Sequence, residues 1–491
     1  MAIGAYLHKV MATDAVSHSE AVLCVDLDGT LCRTDTLIEA ILLLIKQQPL
    51  SVFLLPLWLL RGKAGFKAAI AARVCFDAAA LPYNDELIDW LRAEHAKGRR
   101  IALTSGANEK IVAAVAAHLG IFCSIIASDE TTNRTGATKA AALKAQFGDF
   151  DYVGNDHVDL PVWSAAKTAI LSARSAKIEH ELSQQISFGR VFHAQAAPSS
   201  RLKLWVRALR LHQWVKNTLM FVPLVLAHQF FNADKVATLV LGFIAFNIAA
   251  SSVYVLNDLL DLAADRKHPR KKKRPFAAAD LPLAHGIAVL PVLFVTGFGL
   301  ALYASPAFTG VLAGYYVLTL AYSFDLKRRA LLDVFTLASL YTLRIIAGAA
   351  AASVELSPWL LGFSIFLFLS LGVVKRVAEI DSSRQRGITE VAGRGYRIDD
   401  LRMLEMLGVA AGYASVVVLA LYVSAPESKL LYPHHQLLWM FAPLLLYWIS
   451  RVWLVTHRGE MHDDPIVFAL KDSPSRIVGL LTVLVLQLAA F

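Results

Sequence analysis

The feature that most constrains this chain is its second half. Apolar runs lie near residues 213–231, 236–256, 284–304, 307–324, 332–352, 358–374, 405–424, 437–456 and 476–491, separated by short polar loops. A helix that crosses a bilayer needs roughly 20 mostly apolar residues. Most of these runs approach that length, so the pattern predicts an all-α polytopic bundle of about nine transmembrane helices. Only 18% of the 491 residues are charged, against about a quarter in an ordinary soluble chain. Mean hydropathy is +0.51. Residues 1–200 carry net charge −1 and residues 201–491 carry +10. An ordinary half is joined to an apolar, basic one. The excess of cations reads as membrane topology, and no nucleic-acid partner is expected.

The loops fix an expected orientation. Arg266, Lys267, Arg270, Lys271, Lys272, Lys273 and Arg274 follow the second run, and Lys327, Arg328 and Arg329 the fourth. Lys375, Arg376, Arg384, Arg386, Arg394, Arg397 and Arg402 follow the sixth, and Arg458 and Lys471 the eighth. The opposite loops hold only Lys235 and Lys429. Basic loops stay on the cytoplasmic side. The expected location is a bacterial-type inner (plasma) membrane, with the basic loops and the N-terminal domain cytoplasmic.

The first half has a different rhythm. "AVLCVDLD", "RRIALTSG", "FCSIIAS" and "DYVGND" read as strands, and "DELIDWLRAEHAKG" and "TKAAALKAQFG" as amphipathic helices between them. That alternation predicts a parallel sheet covered by helices. The expected organisation is a tail over 1–20, an α/β domain over 21–182 with a helical cap over about 36–83, a linker over 183–202, and the membrane domain over 203–491. Within the cap, "LSVFLLPLWLLRG" is too short to span a bilayer. It is expected as a buried cap helix, with a helix lying in the membrane interface as the alternative. Cys24, Cys32, Cys75 and Cys123 form no CxxC pair and no zinc spacing, so they read as buried thiols in a reducing compartment. No secretory signal pattern opens the chain.

"DLDGTL" follows the first strand directly, so Asp26 and Asp28 project from its C-terminal end, where open α/β sheets place their sites. One carboxylate can attack a phosphoryl group. A second, two residues on, points to the same side and can protonate the leaving oxygen. Gly29 permits the tight turn and Thr30 can hydrogen-bond it. Ser105 ends a strand and suits a phosphate oxygen, with Thr104 as its substitute. Lys139 opens a helix and can neutralise phosphate charge. "GNDHVD" offers Asn155, Asp156 and Asp159 as oxygen ligands for Mg²⁺. In this order the elements resemble the haloacid-dehalogenase-like (HAD) phosphohydrolases over about residues 20–175. The resemblance implies Asp26 as a nucleophile that forms an aspartyl-phosphate, Asp28 as acid/base, and Ser105 and Lys139 as phosphate binders. It further implies Mg²⁺ on Asp26, the Asp28 carbonyl and the "GNDHVD" loop. Asn155 stands where that family commonly has Asp.

The second motif is "NDLLDLAADRKHPRKKKRPF". On a helix Asn257, Asp261 and Asp265 recur every four residues and share a face, with Asp258 beside them. Ionisable groups at membrane depth are costly and mark function. A row of carboxylates can hold Mg²⁺, which binds diphosphate. Arg266 and Arg274 suit the remaining phosphate oxygens, while Lys272 and Lys273 are equally explained by topology or anionic lipid. "YSFDLKRRALLD" adds Tyr322, Lys327 and Asp333. Arg344 lies inside an apolar run and needs a phosphate or carboxylate partner. "VVKRVAEI" adds Lys375 with Arg376 and Glu379, and "HQWVKN" adds Lys216 and Asn217. Trp214 reads as an interfacial anchor.

These motifs resemble the UbiA superfamily of intramembrane prenyltransferases over about residues 203–491. The resemblance implies a nine-helix bundle in which two aspartate-rich motifs hold Mg²⁺ and a diphosphate. Within the superfamily, "HQWVKN", "DRKHPRKKKRP", "YSFDLKRRALLD", "LRIIAGAAA", "KRVAEI" and "HDDPIVFAL" are most similar to the decaprenyl-phosphate phosphoribosyltransferases. Leu211 and Ala279 stand where Pro and Gly would be expected. The implied reaction moves phosphoribose from phosphoribosyl diphosphate to a polyprenyl phosphate. The fused phosphatase would then remove the 5-phosphate from the product. The alternative is transfer from a polyprenyl diphosphate to an aromatic acceptor. A membrane scaffold with a degenerate phosphatase is the third reading, and the intact aspartates argue against it.

Overall fold

A computed structural model describes residues 21–173, 175–193, 200–385, 394–461 and 465–490. The expected tail and "HDD" at 462–464 lie outside these residues. The chain divides into two compact units. One comprises Met1–Leu209 with Tyr254–Leu290, the other Arg210–Val253 with Pro291–Phe491.

Among the described residues, the first unit is built on six parallel strands: β1 Val22–Asp26, β2 Ile101–Asn108, β3 Ser124–Ser128, β4 Phe150–Gly154, β5 Thr168–Ala173 and β6 Arg190–His193. They lie in the order β3-β2-β1-β4-β5-β6. Apolar strands such as "VLCVD" and "FDYVG" are buried along their whole length, as both faces of a helix-covered parallel sheet must be. Strand order reverses at β1, which pairs with β2 on one side and β4 on the other. The C-terminal ends of β1 and β4 therefore flank a switch point. The strand read from "RRIALTSG" runs on to Asn108, and β5 and β6 extend the expected sheet. β6 falls inside the expected linker, so at least 190–193 of that stretch belong to the α/β domain.

The cap is helical as expected: Thr36–Gln47, Pro49–Leu54, Leu55–Leu59 and Gly62–Ala71. Asp35 starts the first of these by accepting from the Leu37 and Ile38 amides, satisfying amides that a helix start leaves unpaired. The run "LSVFLLPLWLLRG" departs from expectation. Trp58 is buried, but Leu50, Phe53, Leu57 and Leu60 are exposed.

Tyr254–Leu290 belongs to this same unit. Phe276 is fully buried and meets Trp205 edge-on at 6.2 Å. A Cβ at Gly286 would stand 2.7 Å from the Phe276 ring, so this approach requires glycine. Ala279 adopts φ 56°, a left-handed conformation that glycine occupies without strain. Ala279→Gly should therefore raise the stability of the purified chain by about 1 kcal/mol, read as an upward shift of its thermal midpoint in detergent. An unchanged or lower midpoint would show that the strain is relieved elsewhere.

Among the described residues, eight helices are long and apolar enough to cross a membrane: Ala233–Leu260, Leu283–Ala304, Pro306–Phe324, Leu332–Ala352, Pro358–Arg384, Ile398–Ser424, His435–His457 and Ser473–Ala490. They match the last eight predicted runs. The first run, 213–231, is corrected. It folds as a 3₁₀ helix, Leu211–Phe221, and a short α-helix, Val222–Leu226. Left-handed residues stand on either side, Arg210 at φ 53° and His228 at φ 57°. Its polar positions explain the difference, because Lys216 and Asn217 are buried and need protein partners that a lipid-facing helix would not give them. Within the second unit, small residues allow close packing. A Cβ at Gly348 would overlap the Met220 carbonyl, and one at Gly408 the Trp453 ring.

Candidate functional site

The first unit holds two clusters of charge. At the C-terminal end of β1, Asp26 is buried and its Oδ1 accepts from Lys139 Nζ at 2.7 Å. Lys139 also donates to the Tyr152 hydroxyl at 3.0 Å. Thr30 Oγ1 lies 3.4 Å from Asp26 Oδ2 and 3.2 Å from Asn155 Oδ1. Asp28 accepts from the Thr36 amide at 2.7 Å and from Ser105 Oγ at 3.1 Å. Thr104, the substitute for Ser105, is fully buried and donates to the Val25 carbonyl at 3.3 Å. Burial pushes the Asp26 carboxyl up to about 7 against the pull of Lys139. Burial and the nearby Asp35 also raise Asp28. Burial alone would lower Lys139, but Asp26 and Asp159 override it and raise it.

Two expected metal ligands take other roles. Asp156 is exposed and its carboxylate accepts from the His157 amide. Asp159 is buried, accepting from Tyr152 at 2.7 Å and from the Asn155 amide at 3.0 Å. It shapes the loop that presents Asn155. A Cβ at Gly154 would stand 2.7 Å from Asp159 Oδ2, so the turn depends on glycine. Lys67, from the cap, is a residue the sequence reading missed. It donates to the Gly106 carbonyl at 2.6 Å and to Asn133 Oδ1 at 2.7 Å. It is isolated in sequence from the motifs, and only the cap's fold brings it beside Ser105.

The second cluster is the acidic segment. The helix Ala233–Leu260 ends just before Asp261, which opens the short helix Leu262–Lys267 at φ −100°. Amide bonds from Asp261 to Asn257 and from Asp265 to Asp261 continue the four-residue spacing. The expected common face is nevertheless split. Asp258 and Asp265 are buried and share one guanidinium, Arg274 Nη1, at 3.1 and 2.6 Å. Asp261 is turned to Lys46 of the cap at 2.7 Å. Asn257 is half-buried on the same stretch.

Arg266, expected on phosphate, is committed elsewhere. Its guanidinium holds Glu39 at 2.7 and 2.8 Å, the Ala277 carbonyl at 2.9 Å and the Ala80 carbonyl at 3.1 Å. Glu39 also accepts from Thr34 at 2.5 Å. Lys267 pairs with Asp77 at 2.7 Å. Nothing local in "TLIEAILLLIKQ" shows that Glu39 and Lys46 will meet a segment more than two hundred residues away. Removing one partner of a buried pair costs about 3–5 kcal/mol, and both side chains here are 9% exposed. Glu39→Ala should therefore destabilise the chain by about 3 kcal/mol. The Glu39→Ala/Arg266→Ala double variant should be less destabilised than additivity requires, measured by thermal unfolding in detergent. Strict additivity would refute the pairing.

In the second unit Asp333 is fully buried. It accepts from Tyr322 at 2.8 Å, Arg376 Nη2 at 3.1 Å and Arg394 at 3.2 Å. Its Oδ2 is 2.6 Å from Arg376 Nε, an ion pair by distance whose alignment falls outside hydrogen-bond geometry. Arg376, also fully buried, pairs with Glu379 as well. Arg394 was legible only as a loop cation, and Arg376 only as a neighbour of Lys375 at the end of a run; the helix Pro358–Arg384 continues ten residues past the predicted run and buries Arg376. Arg344 finds neutral partners, Asn217 at 2.7 Å and the Tyr315 hydroxyl at 3.2 Å, and lies over the rings of Tyr315 and Tyr341. Asn217 passes the network to Asn247 at 2.7 Å. Trp214 donates to Ser251 at 3.2 Å. Lys216 is buried, and Lys327 and Lys375 are half-buried.

Oxygen donors of the kind Mg²⁺ prefers are present in both clusters of the first unit. Asp26 and Asn155 converge on Thr30, and Asp258 and Asp265 already surround a cation, the Arg274 guanidinium. Among the described residues, no three His, Cys, Asp or Glu side chains are assembled to hold a metal. The donor set fits the ion, with side-chain cations standing against its acids.

The helices and buried acid–base clusters define a polytopic membrane enzyme, and the comparisons give its kind. The model for the UbiA prenyltransferase family matches residues 218–471; the chain belongs to the UbiA prenyltransferase family and is an integral membrane transferase. It is 36% identical to protein y4nM of Sinorhizobium fredii, over 96% of this chain and 92% of that one. It is 36% identical to the nodulation protein NoeC of Azorhizobium caulinodans, over 56% of this chain and 89% of that one. It is 38% identical to a decaprenyl-phosphate phosphoribosyltransferase of Mycobacterium tuberculosis, over 37% of this chain and 62% of that one. The last match spans less than two thirds of its relative. Among solved structures, a UbiA homologue from Archaeoglobus fulgidus bound to GPP and Mg²⁺ aligns with TM-score 0.45 at 15% identity, over 57% of this chain and 97% of that one.

Proposed function

We propose that the chain transfers phosphoribose from phosphoribosyl diphosphate to a polyprenyl phosphate, and that its N-terminal domain is a HAD-like phosphatase acting on the product. The observation that carries the first part is the similarity to proteins named decaprenyl-phosphate phosphoribosyltransferase, at 34–38% identity in four relatives. An oxygen of the lipid phosphate attacks the anomeric carbon. The bond from that carbon to the diphosphate breaks, and the diphosphate leaves with the electron pair. Bound Mg²⁺ would neutralise the leaving charge, held by Asp258, Asp261 and Asp265 with Asn257 beside them. Asp333 serves as the second acidic group. Arg274, Tyr322, Lys327, Lys216, Asn217, Arg344 and Lys375 supply phosphate contacts or hold those that do.

In the N-terminal domain the Asp26 carboxylate attacks phosphorus, and the phosphate ester's alkoxide leaves with a proton from Asp28. Water then hydrolyses the aspartyl-phosphate. Thr30, Ser105 and Lys139 hold phosphate oxygens, and Asp26, the Asp28 carbonyl and Asn155 would hold Mg²⁺, which would neutralise phosphate charge. The support is the convergence of Asp26, Lys139, Thr30 and Asn155 at the β1–β4 switch point. The basic loops support a bacterial inner-membrane location with both sites cytoplasmic.

The test is the donor. Purified chain in lipid should consume phosphoribosyl diphosphate and release diphosphate only when a polyprenyl phosphate is present. Consumption of a polyprenyl diphosphate with an aromatic acceptor, and none of phosphoribosyl diphosphate, would overturn the reading in favour of ordinary prenyl transfer.

A further inference from the structure

The cap carries an apolar surface that the reaction does not use. Along Pro49–Leu60, Leu50 is 79% exposed, Phe53 77%, Leu57 56% and Leu60 83%. Trp58 turns inward, 4% exposed, with the Arg73 guanidinium over its ring at 4.5 Å, and Ser51 and Leu55 face the domain beside it. Trp58 and Leu55 tie the segment to the domain while Leu50, Phe53, Leu57 and Leu60 face out. Contiguous exposed apolar surface of this kind marks a site of protein or membrane contact.

Two observations choose the membrane. The first is charge. From Ala40 to Phe76 the chain has no Asp or Glu and five cations, Lys46, Arg61, Lys63, Lys67 and Arg73. Arg61 and Lys63, directly after the apolar run, are exposed. An apolar face with a basic flank is the composition of a helix that lies in an anionic bilayer surface.

The second is continuity with a membrane helix whose C-terminal end, from Tyr254, belongs to the same unit. Lys46 is four residues before Leu50, and an extended chain covers at most about 14 Å over four residues. Lys46 is fixed at 2.7 Å to Asp261, the residue after the helix Ala233–Leu260. That helix has 28 residues, about 42 Å of rise, against a hydrocarbon core of about 30 Å. Its end therefore reaches the headgroup layer. Glu39–Arg266 and Asp77–Lys267 bracket the segment and fix the cap to the same stretch.

We infer that Pro49–Leu60 is an interfacial membrane anchor. Leu50, Phe53, Leu57 and Leu60 lie at the boundary of headgroups and acyl chains, and Arg61 and Lys63 face anionic headgroups. The anchor holds the N-terminal domain against the bilayer, independently of the reaction proposed above.

The test uses the full chain in vesicles of phosphatidylcholine with or without phosphatidylglycerol. With Cys75 and Cys123 changed to Ser, an environment-sensitive fluorophore is placed at Phe53→Cys and, as a control, at the exposed Asp89→Cys. The Phe53 label should be quenched about twofold or more by lipid-borne nitroxide, more strongly with phosphatidylglycerol, and be shielded from iodide. The Asp89 label should show the reverse. Iodide quenching of both labels without lipid quenching would overturn the anchor. Excimer formation between pyrene labels at Phe53→Cys on two chains would overturn it in favour of a second copy. As a check that needs no label, Phe53→Ser/Leu57→Ser should speed proteolysis of the N-terminal domain several-fold in vesicles and leave the rate in detergent unchanged. Equal rates for variant and parent in vesicles would also overturn it.

Discussion

Asp26→Asn should abolish phosphate release by the N-terminal domain, lowering its rate by about 10⁴-fold or more, while lipid-linked transfer continues. The amide keeps the shape of the side chain but is not a nucleophile, so no aspartyl-phosphate can form. Asp26 is buried against Lys139, and the neutral amide leaves that ammonium with Tyr152 at 3.0 Å and Asp159 at 3.6 Å. The fold should survive for that reason. In a coupled assay with phosphoribosyl diphosphate and polyprenyl phosphate, the variant should accumulate a phosphorylated lipid product that the parent chain converts further. Retention of more than a tenth of the phosphatase rate would remove Asp26 from the nucleophile's role.

The complementary variant is Asp265→Asn. Transfer should fall by about 10²–10³-fold, with phosphatase activity on a soluble phosphate ester kept. Asp265 is 2% exposed, and its Oδ2 lies 2.6 Å from the guanidinium that also binds Asp258 at 3.1 Å. Loss of one negative charge weakens the pull of this cluster on any cation, side chain or metal. It also leaves Arg274 with a single carboxylate, drawn closer to Asp258. Both effects lower the share of chains able to receive a metal-bound diphosphate, so more Mg²⁺ should partly restore the rate. A rate equal to the parent's would place the acidic segment outside the chemistry.

Together the two variants separate the sites. Each should disable one reaction and spare the other, whereas a chain that is merely misfolded would lose both.

Much of this protein was legible without coordinates, for reasons that differ by residue. Eight membrane helices could be read because a run of about 20 apolar residues has few fates other than a bilayer or a large core. Strands β1 to β4 could be read because a buried parallel strand is a short apolar run closed by turn residues. Asp26, Thr30, Lys139 and Asn155 could be placed because each stands at a strand end, at a helix start or in the turn beside one.

Tertiary structure alone decided which cation meets which acid. Periodicity puts Asp258, Asp261 and Asp265 along one helix, but Arg274 and Lys46 pull them to different sides. Arg266 has the chemistry of a phosphate ligand, and only the fold commits it to Glu39. Lys216 and Asn217 shortened an apparent span because polar groups seek buried partners, which a hydropathy pattern cannot show. The apolar run at Pro49–Leu60 reads as a core helix in sequence and lies exposed in the fold. Hydrophobicity is a property of the chain and is fixed by sequence; which surface covers it, and which charge answers which, depends on contacts between residues far apart, and these exist only once the chain has folded.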